Sequence, residues 1–308
     1  MVEALGGGPT SILFPGQGAQ AVGMAGDWVE AEPAAAELFA RAAGLLGYDL
    51  LAVCRSGPAE RLNTTAVSQP AILVTSLAAL EVLRRRDPKP LETATLTAGL
   101  SLGEYTALVF AGALGFDDAV RLVHERGSGM QACAEASPGG MVAVLGLERE
   151  AVAALCDSCR QDGVLQVANV LCPGNIVVSG DHAACRRLEE AAAAAGAMKS
   201  VRLEVAGAFH TSLMRPAVER LTAAIATAEF RPPRIPVVSN VDARPHTDPD
   251  EIRSLLARQV VGVVEWSDSV AYILSTGVRS AWEIGPGRVL RGLMKRIDRS
   301  VAMNGVFD

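Results

Sequence analysis

The sequence predicts a two-part α/β fold: a large domain around a parallel central sheet, with a small β-α-β-β-α-β unit inserted into it. Three observations carry this reading. In the first part of the chain, short apolar runs alternate with longer Ala-rich amphipathic segments, the rhythm of strands alternating with helices. Between about Gly140 and Val205 the order becomes strand, helix, strand, strand, helix, strand, which is the ferredoxin-like arrangement. After Phe209 strand and helix signals of the first kind resume. The division is a flexible leader over 1–10, a large domain over 11–136 and 206–308, and the inserted unit over 137–205. A chain of 308 residues, 50% hydrophobic, is long enough for one large core and a small one.

The elements follow in order. Ser11–Pro15 is apolar and runs into Gly16-Gln17-Gly18, so it reads as a buried strand entering a tight loop. Trp28–Leu46 has helical periodicity. Ser68-Gln69-Pro70 opens a helix over Ala71–Arg86, with Pro where its missing N–H costs least and Arg84, Arg85 and Arg86 in the last turn, favoured by the helix dipole. Thr95–Ala98 is a strand, Gly99–Gly103 a turn, and Glu104–Ala111 and Asp117–Cys133 are helices. The inserted unit reads as strands over Gly140–Gly146, Val164–Val170, Asn175–Ser179 and Ser200–Val205, with helices over Glu148–Gln161 and His182–Ala195. The remainder gives strands at Ile235–Ser239 and Arg279–Ile284. Helices follow at Asp250–Gln259 and Ser267–Thr276, and a last one ends at Arg296.

Composition excludes several functions. A net charge of -6, no long basic run and only 4% aromatics argue against nucleic-acid binding. Met1–Thr10 is Gly-rich and lacks the cationic and apolar segments of an export signal. The most membrane-like stretch, Leu96–Phe116, is interrupted by Glu104 and reads as core rather than a span. The six cysteines are then expected to be reduced thiols in the cytoplasm.

Gly99-Leu100-Ser101-Leu102-Gly103 fits the G-x-S-x-G turn between a strand and a helix. Its glycines permit a sharp turn, Ser101 sits at the tip, and the Leu102 N–H faces the place where an oxyanion would form. This points to an α/β-hydrolase-like large domain. A nucleophilic serine needs a base. Of the four histidines, His124 lies mid-helix, His182 starts a helix as a possible cap, and His246 sits in a polar turn. His210, in the small-residue loop Gly207-Ala208-Phe209-His210, has the best context, with no acid near it in sequence.

At this point the chain resembles the malonyl-CoA:acyl carrier protein transacylases and the acyltransferase domains of polyketide synthases, from about Ile12 to Ile297. The motifs, in the family's order, are Phe14–Gln20 (FPGQGAQ), Gly99–Tyr105 (GLSLGEY), Arg126-Gly127 with Met130-Gln131, and Ala168-Asn169 with Pro173-Gly174-Asn175. Gly207–His210, Ser239-Asn240, Gln259 with Trp266, and Gly285-Pro286-Gly287 complete the set. The resemblance implies that Ser101 is the nucleophile and His210 the base, oriented by the backbone carbonyl of Gln259 rather than by an acid. It implies an oxyanion hole from the N–H groups of Gln17 and Leu102, Arg126 as a two-pronged clamp on the malonyl carboxylate, and Met130 and Phe209 in the acyl pocket. Phe209 matches the malonyl-selective form of its motif. The chain departs from the family at Leu100, where most relatives carry His, at Thr211 for a frequent serine, and between Gln259 and Trp266, where relatives usually have a proline.

The implied partners are malonyl-CoA and an acyl carrier protein, with no cofactor, no nucleic acid and no membrane, and the chain is expected to be a monomer. Local cations near Lys199 and Arg202, on Arg288–Arg296, or over Arg84–Lys89 would dock the acidic carrier. Cys156-x-x-Cys159 with His182 and Cys185 has zinc-type ligands, but the pair lies within a helix, so packing cysteines and no metal are expected. The Gly16-Gln17-Gly18 loop lacks the Lys and spacing of a P-loop. A hydrolase with the same turn is the alternative activity, and a catalytically dead scaffold the non-enzymatic one.

Overall fold

The structure is a computed structural model and describes residues 8–307. The expected leader therefore lies mostly outside the described residues, and Thr10 already belongs to the first strand. The elements are β1 (Thr10–Phe14), α1 (Pro33–Leu46), α2 (Leu50–Ser56), α3 (Ala59–Leu62), α4 (Thr65–Arg86), α5 (Lys89–Glu92), β2 (Ala94–Gly99), α6 (Gly103–Phe110) and α7 (Phe116–Ala136). Then come β3 (Gly139–Leu145), α8 (Arg149–Cys159), β4 (Leu165–Cys172), β5 (Asn175–Asp181), α9 (His182–Ala194) and β6 (Lys199–Arg202). The chain closes with α10 (Arg215–Thr227), β7 (Val237–Val238), β8 (Pro245–His246), α11 (Pro249–Gln259), α12 (Trp266–Ser275), β9 (Ser280–Glu283), α13 (Val289–Ile297) and β10 (Ala302–Gly305).

Two sheets organise these elements. The larger has the order β10-β9-β1-β2-β7-β8 and is parallel except for β8, which runs antiparallel to β7 at one edge. Its inner strands β1 and β2 are buried on both faces, as helix-covered parallel strands must be. The smaller sheet has the order β4-β5-β3-β6 and is antiparallel throughout, with α8 and α9 packed on it around Val142, Val144, Val178 and Leu188. Cys156, Cys159 and Cys185 are buried members of that cluster.

Several sequence expectations shift. The helix expected from Trp28 begins at Pro33, a residue favoured in a first turn. The helix expected from Ala71 begins six residues earlier, at Thr65, so Pro70 lies inside it. The sequence reading also missed the helices α2, α3, α5 and α10 and the strands β8 and β10. Asp181, not His182, caps α9, its side chain accepting from the Ala184 N–H at 2.8 Å. Among the described residues the helix long and apolar enough to cross a membrane is α4, not the stretch from Leu96, and 83% of its apolar window is buried inside the protein.

What places the site is the packing of the turn after β2. A Cβ on Gly99 would overlap the Gly103 carbonyl, and one on Gly103 would overlap the Phe14 carbonyl. The turn is therefore pressed backbone to backbone against the end of β1. Gly99→Ala is expected to lower stability by about 1–3 kcal/mol or more, the usual cost of overpacking, read as a fall in Tm. A Tm equal to that of the parent chain would contradict this packing.

Candidate active site

Ser101 stands on this turn with φ of +49°, a left-handed conformation costly for a residue with a Cβ. Two contacts hold it there. Its N–H donates to Asn240 Oδ1 at 2.5 Å, and Asn240 Nδ2 donates to the Gly99 carbonyl at 2.8 Å, so one amide spans both sides of the turn. Asn240 itself follows β7, the neighbour of β2 in the sheet. Ser101 Oγ is thereby presented to a cavity of about 170 Å³ whose walls include Gln17, Arg126, Met130, Phe209 and His210.

His210 also has positive φ, +60°, and is buried. Its Nε2 lies 2.9 Å from Ser101 Oγ, and its Nδ1 lies 2.9 Å from the Gln259 carbonyl. A carbonyl can only accept, so Nδ1 carries the proton and Nε2 turns its lone pair toward the serine. Burial, and next the Arg126 charge, pull the imidazole down to about 4, so it is neutral near pH 7. The missing proline after Gln259 does not disturb the contact. Val264 pairs with β4 instead, its N–H donating to the Ala168 carbonyl at 2.8 Å and its carbonyl accepting from Val170 at 2.9 Å, and this fixes the loop.

Arg126, on α7, is 1% exposed. Its Nη1 donates to Gln69 Oε1 at 2.8 Å, and its Nη2 donates to Gln259 Oε1 at 3.0 Å and to Ser101 Oγ at 2.9 Å. These partners are two neutral amides and a hydroxyl, with no carboxylate among them. Burial lowers its pKa and the nearby Glu104 charge opposes that; a guanidinium stays charged in proteins. Gln69 also donates to Met130 Sδ at 3.5 Å, which ties the Arg126 support to the pocket wall. Among the described residues neither the Gln17 nor the Leu102 N–H meets a backbone acceptor or a side chain.

All the residues singled out in the sequence, Ser101, His210, Arg126, Gln17, Leu102, Met130, Phe209 and Gln259, thus converge on one place. Sequence reasoning missed Gln69, taken for part of a helix start, and gave no role to Asn240 or Glu104. The site cavity shares Gln17, Leu203 and Val205 with a larger cleft of about 870 Å³, bordered by Arg202 and His182. Of the cations expected to dock a partner there, Arg202 is engaged by Glu189 at 2.5 Å, whereas Lys199 is exposed.

A serine on a strained strand-to-helix turn, with a neutral imidazole on its hydroxyl and unengaged N–H groups beside it, defines a serine-dependent acyl-transferring enzyme as a class. The comparisons give the family. The acyl transferase domain model matches residues 12–302, and the chain belongs to that family. It is 42% identical over 287 residues to the malonyl CoA-acyl carrier protein transacylase of Escherichia coli strain K12, covering 93% of this chain and 92% of the relative. It is 40% identical over 299 residues to the protein of that name from Bacillus subtilis, covering 97% and 93%. An acyl carrier protein S-malonyltransferase from Vibrio cholerae superposes with a TM-score of 0.91 at 41% identity, covering 97% of this chain and 96% of that one. A malonyl-transacylase in complex with a type II polyketide synthase acyl carrier protein superposes with 0.90 at 39% identity, covering 97% and 95%.

The depressed imidazole has a pH signature. Labelling of Ser101 by a neutral fluorophosphonate should hold steady from pH 7 to about 5 and fall only as pH approaches 4, because only there does Nε2 take up a proton. A half-loss near 6.5, the ordinary histidine value, would contradict the burial argument.

Proposed function

We propose that this chain transfers malonyl groups from malonyl-CoA to the phosphopantetheine thiol of an acyl carrier protein, through an ester on Ser101. The observation that carries this is Arg126, a buried guanidinium facing the serine and held by neutral amides, with room for a carboxylate to complete its shell. A planar fork suits bidentate carboxylate binding. The likeness to transacylases over nearly the whole chain supports the same reading.

The mechanism is ping-pong. The Ser101 proton passes to His210 Nε2 as Oγ attacks the thioester carbonyl, and the Gln259 carbonyl steadies the imidazolium through Nδ1–H. The N–H groups of Gln17 and Leu102 hold the oxyanion, each such donor being worth roughly 3–4 kcal/mol. Collapse breaks the carbon–sulfur bond, and the CoA thiolate takes the proton from His210. In the second half the carrier thiol gives its proton to His210, its sulfur attacks the ester, and Ser101 leaves with that proton returned. No cofactor enters either half. Phe209 crowds the position of a 2-methyl branch, a discrimination worth about 1–3 kcal/mol.

Two outcomes test this. Ser101→Ala should show no covalent adduct with malonyl-CoA by intact-protein mass, and an undiminished adduct would overturn the assignment. Arg126→Ala should lose malonyl transfer about a hundredfold or more, since each hydrogen bond to a charge is worth ~1.5–3 kcal/mol, yet keep or gain acetyl transfer. Equal losses with both acyl groups would show that Arg126 is not the carboxylate clamp.

A further inference from the structure

Glu104 lies in the first turn of α6, three residues after Ser101, and is 2% exposed. A buried carboxylate is costly unless it is fully hydrogen-bonded, and its partners here are all donors. Its Oε2 accepts from the Asn240 backbone N–H at 3.0 Å and from Gln259 Nε2 at 2.8 Å. Burial raises its pKa, and the bonds from Asn240, Gln259 and Ser239 counter the rise. Arg126 is not among its hydrogen-bond partners; the Gln259 amide stands between them, accepting from Arg126 and donating to Glu104.

The two donors govern different parts of the site. Asn240 clamps both sides of the turn that carries Ser101. Gln259 holds His210 through its carbonyl, Arg126 through Oε1 and the Ser101 carbonyl through Nε2. We propose that Glu104 is a positioning residue: one carboxylate oxygen sets the place of Ser101 through Asn240 and the place of Arg126 through Gln259. Nucleophile placement and acyl selectivity are thereby fixed by the same atom. This rests on the transfer reading above. A carboxylate present only for stability would have no reason to influence which acyl group is accepted.

Two substitutions separate reach from charge. Glu104→Asp keeps the charge but withdraws the oxygen by one carbon–carbon bond. Glu104→Gln loses the charge but can place its carbonyl oxygen where Oε2 now accepts both bonds. The measurement is kcat and KM for acylation by malonyl-CoA and by acetyl-CoA, with Tm for each variant. E104D is expected to lower acetyl kcat by several-fold through misplacement of Ser101 and malonyl kcat by about tenfold more than that, because small misplacements of reacting groups cost up to ~100-fold, so that the malonyl:acetyl preference falls by about tenfold. E104Q is expected to hold that preference within about threefold of the parent. The inference is overturned if E104D keeps its preference, or loses both activities in equal proportion, or if E104Q loses preference as E104D does. Should E104D fail to fold, E104Q decides alone: preference kept supports the inference, preference lost overturns it. A parent enzyme that takes up no malonyl group would defeat the underlying reading, whereas one that loads malonyl while E104D stays selective would defeat this inference only.

Discussion

One buried residue, Gln259, joins the serine, the histidine, the arginine and the buried Glu104 carboxylate. Its backbone carbonyl fixes the tautomer of His210, its side-chain oxygen holds Arg126, and its amide nitrogen reaches the Ser101 carbonyl and Glu104. It sits at the last position of α11, where helix carbonyls have no partner within the helix. The imidazole supplies the nearer partner, at 2.9 Å, beside the Gly262 N–H at 3.3 Å. A helix end thus does the orienting work that an acid does in other serine enzymes, and it adds no negative charge beside the imidazole. Because Gln259 is itself fully buried, the position of the dyad is inherited from the packing of α11 rather than from a mobile loop.

The electrostatics follow from that arrangement. Arg126 is buried among neutral amides, and His210 is kept neutral by burial and by the guanidinium charge. The guanidinium lines the cavity while the Glu104 carboxylate lies behind the Gln259 amide, so the charge presented to a ligand is positive. A malonyl carboxylate would cancel the charge on binding, and the imidazolium formed during transfer would then face a neutralised guanidinium instead of a bare one. In a low-dielectric site such compensation is worth much more than in water. On the proposed function, the acyl group's own carboxylate would thus help the chemistry as well as recognition.

Much of this was legible in the sequence, for identifiable reasons. The G-x-S-x-G turn is a local device, its glycines required by backbone contacts that any such turn makes. The inserted βαββαβ unit was legible because β3, β4 and β5 carry apolar runs of their own, while β6, short and partly exposed, shows only in the alternation of Val201, Leu203 and Val205. The start of α4 was misplaced because Pro70 reads as a first-turn residue, whereas burial of nearly the whole helix carries it through the proline. β10 was missed because its residues are only partly buried and its pairing with β9 is long-range. Gln69, Asn240 and Glu104 lie 57, 139 and 155 residues from the partners that give them meaning, so nothing in their own neighbourhoods reveals a role. The one available signal was Glu104 itself, a charge inside an apolar stretch, which implies buried donors somewhere else in the chain.

On the proposed function, the site stores an acyl group on Ser101 and withholds it from water until a carrier thiol arrives. Rapid-quench measurement of CoA release from malonyl-CoA without any carrier tests this most directly. The expected result is a burst of about one CoA per enzyme that then stops, with the malonyl group recovered on the peptide containing Ser101. Continuous CoA release with free malonate accumulating at the same rate would contradict it and make the chain a hydrolase.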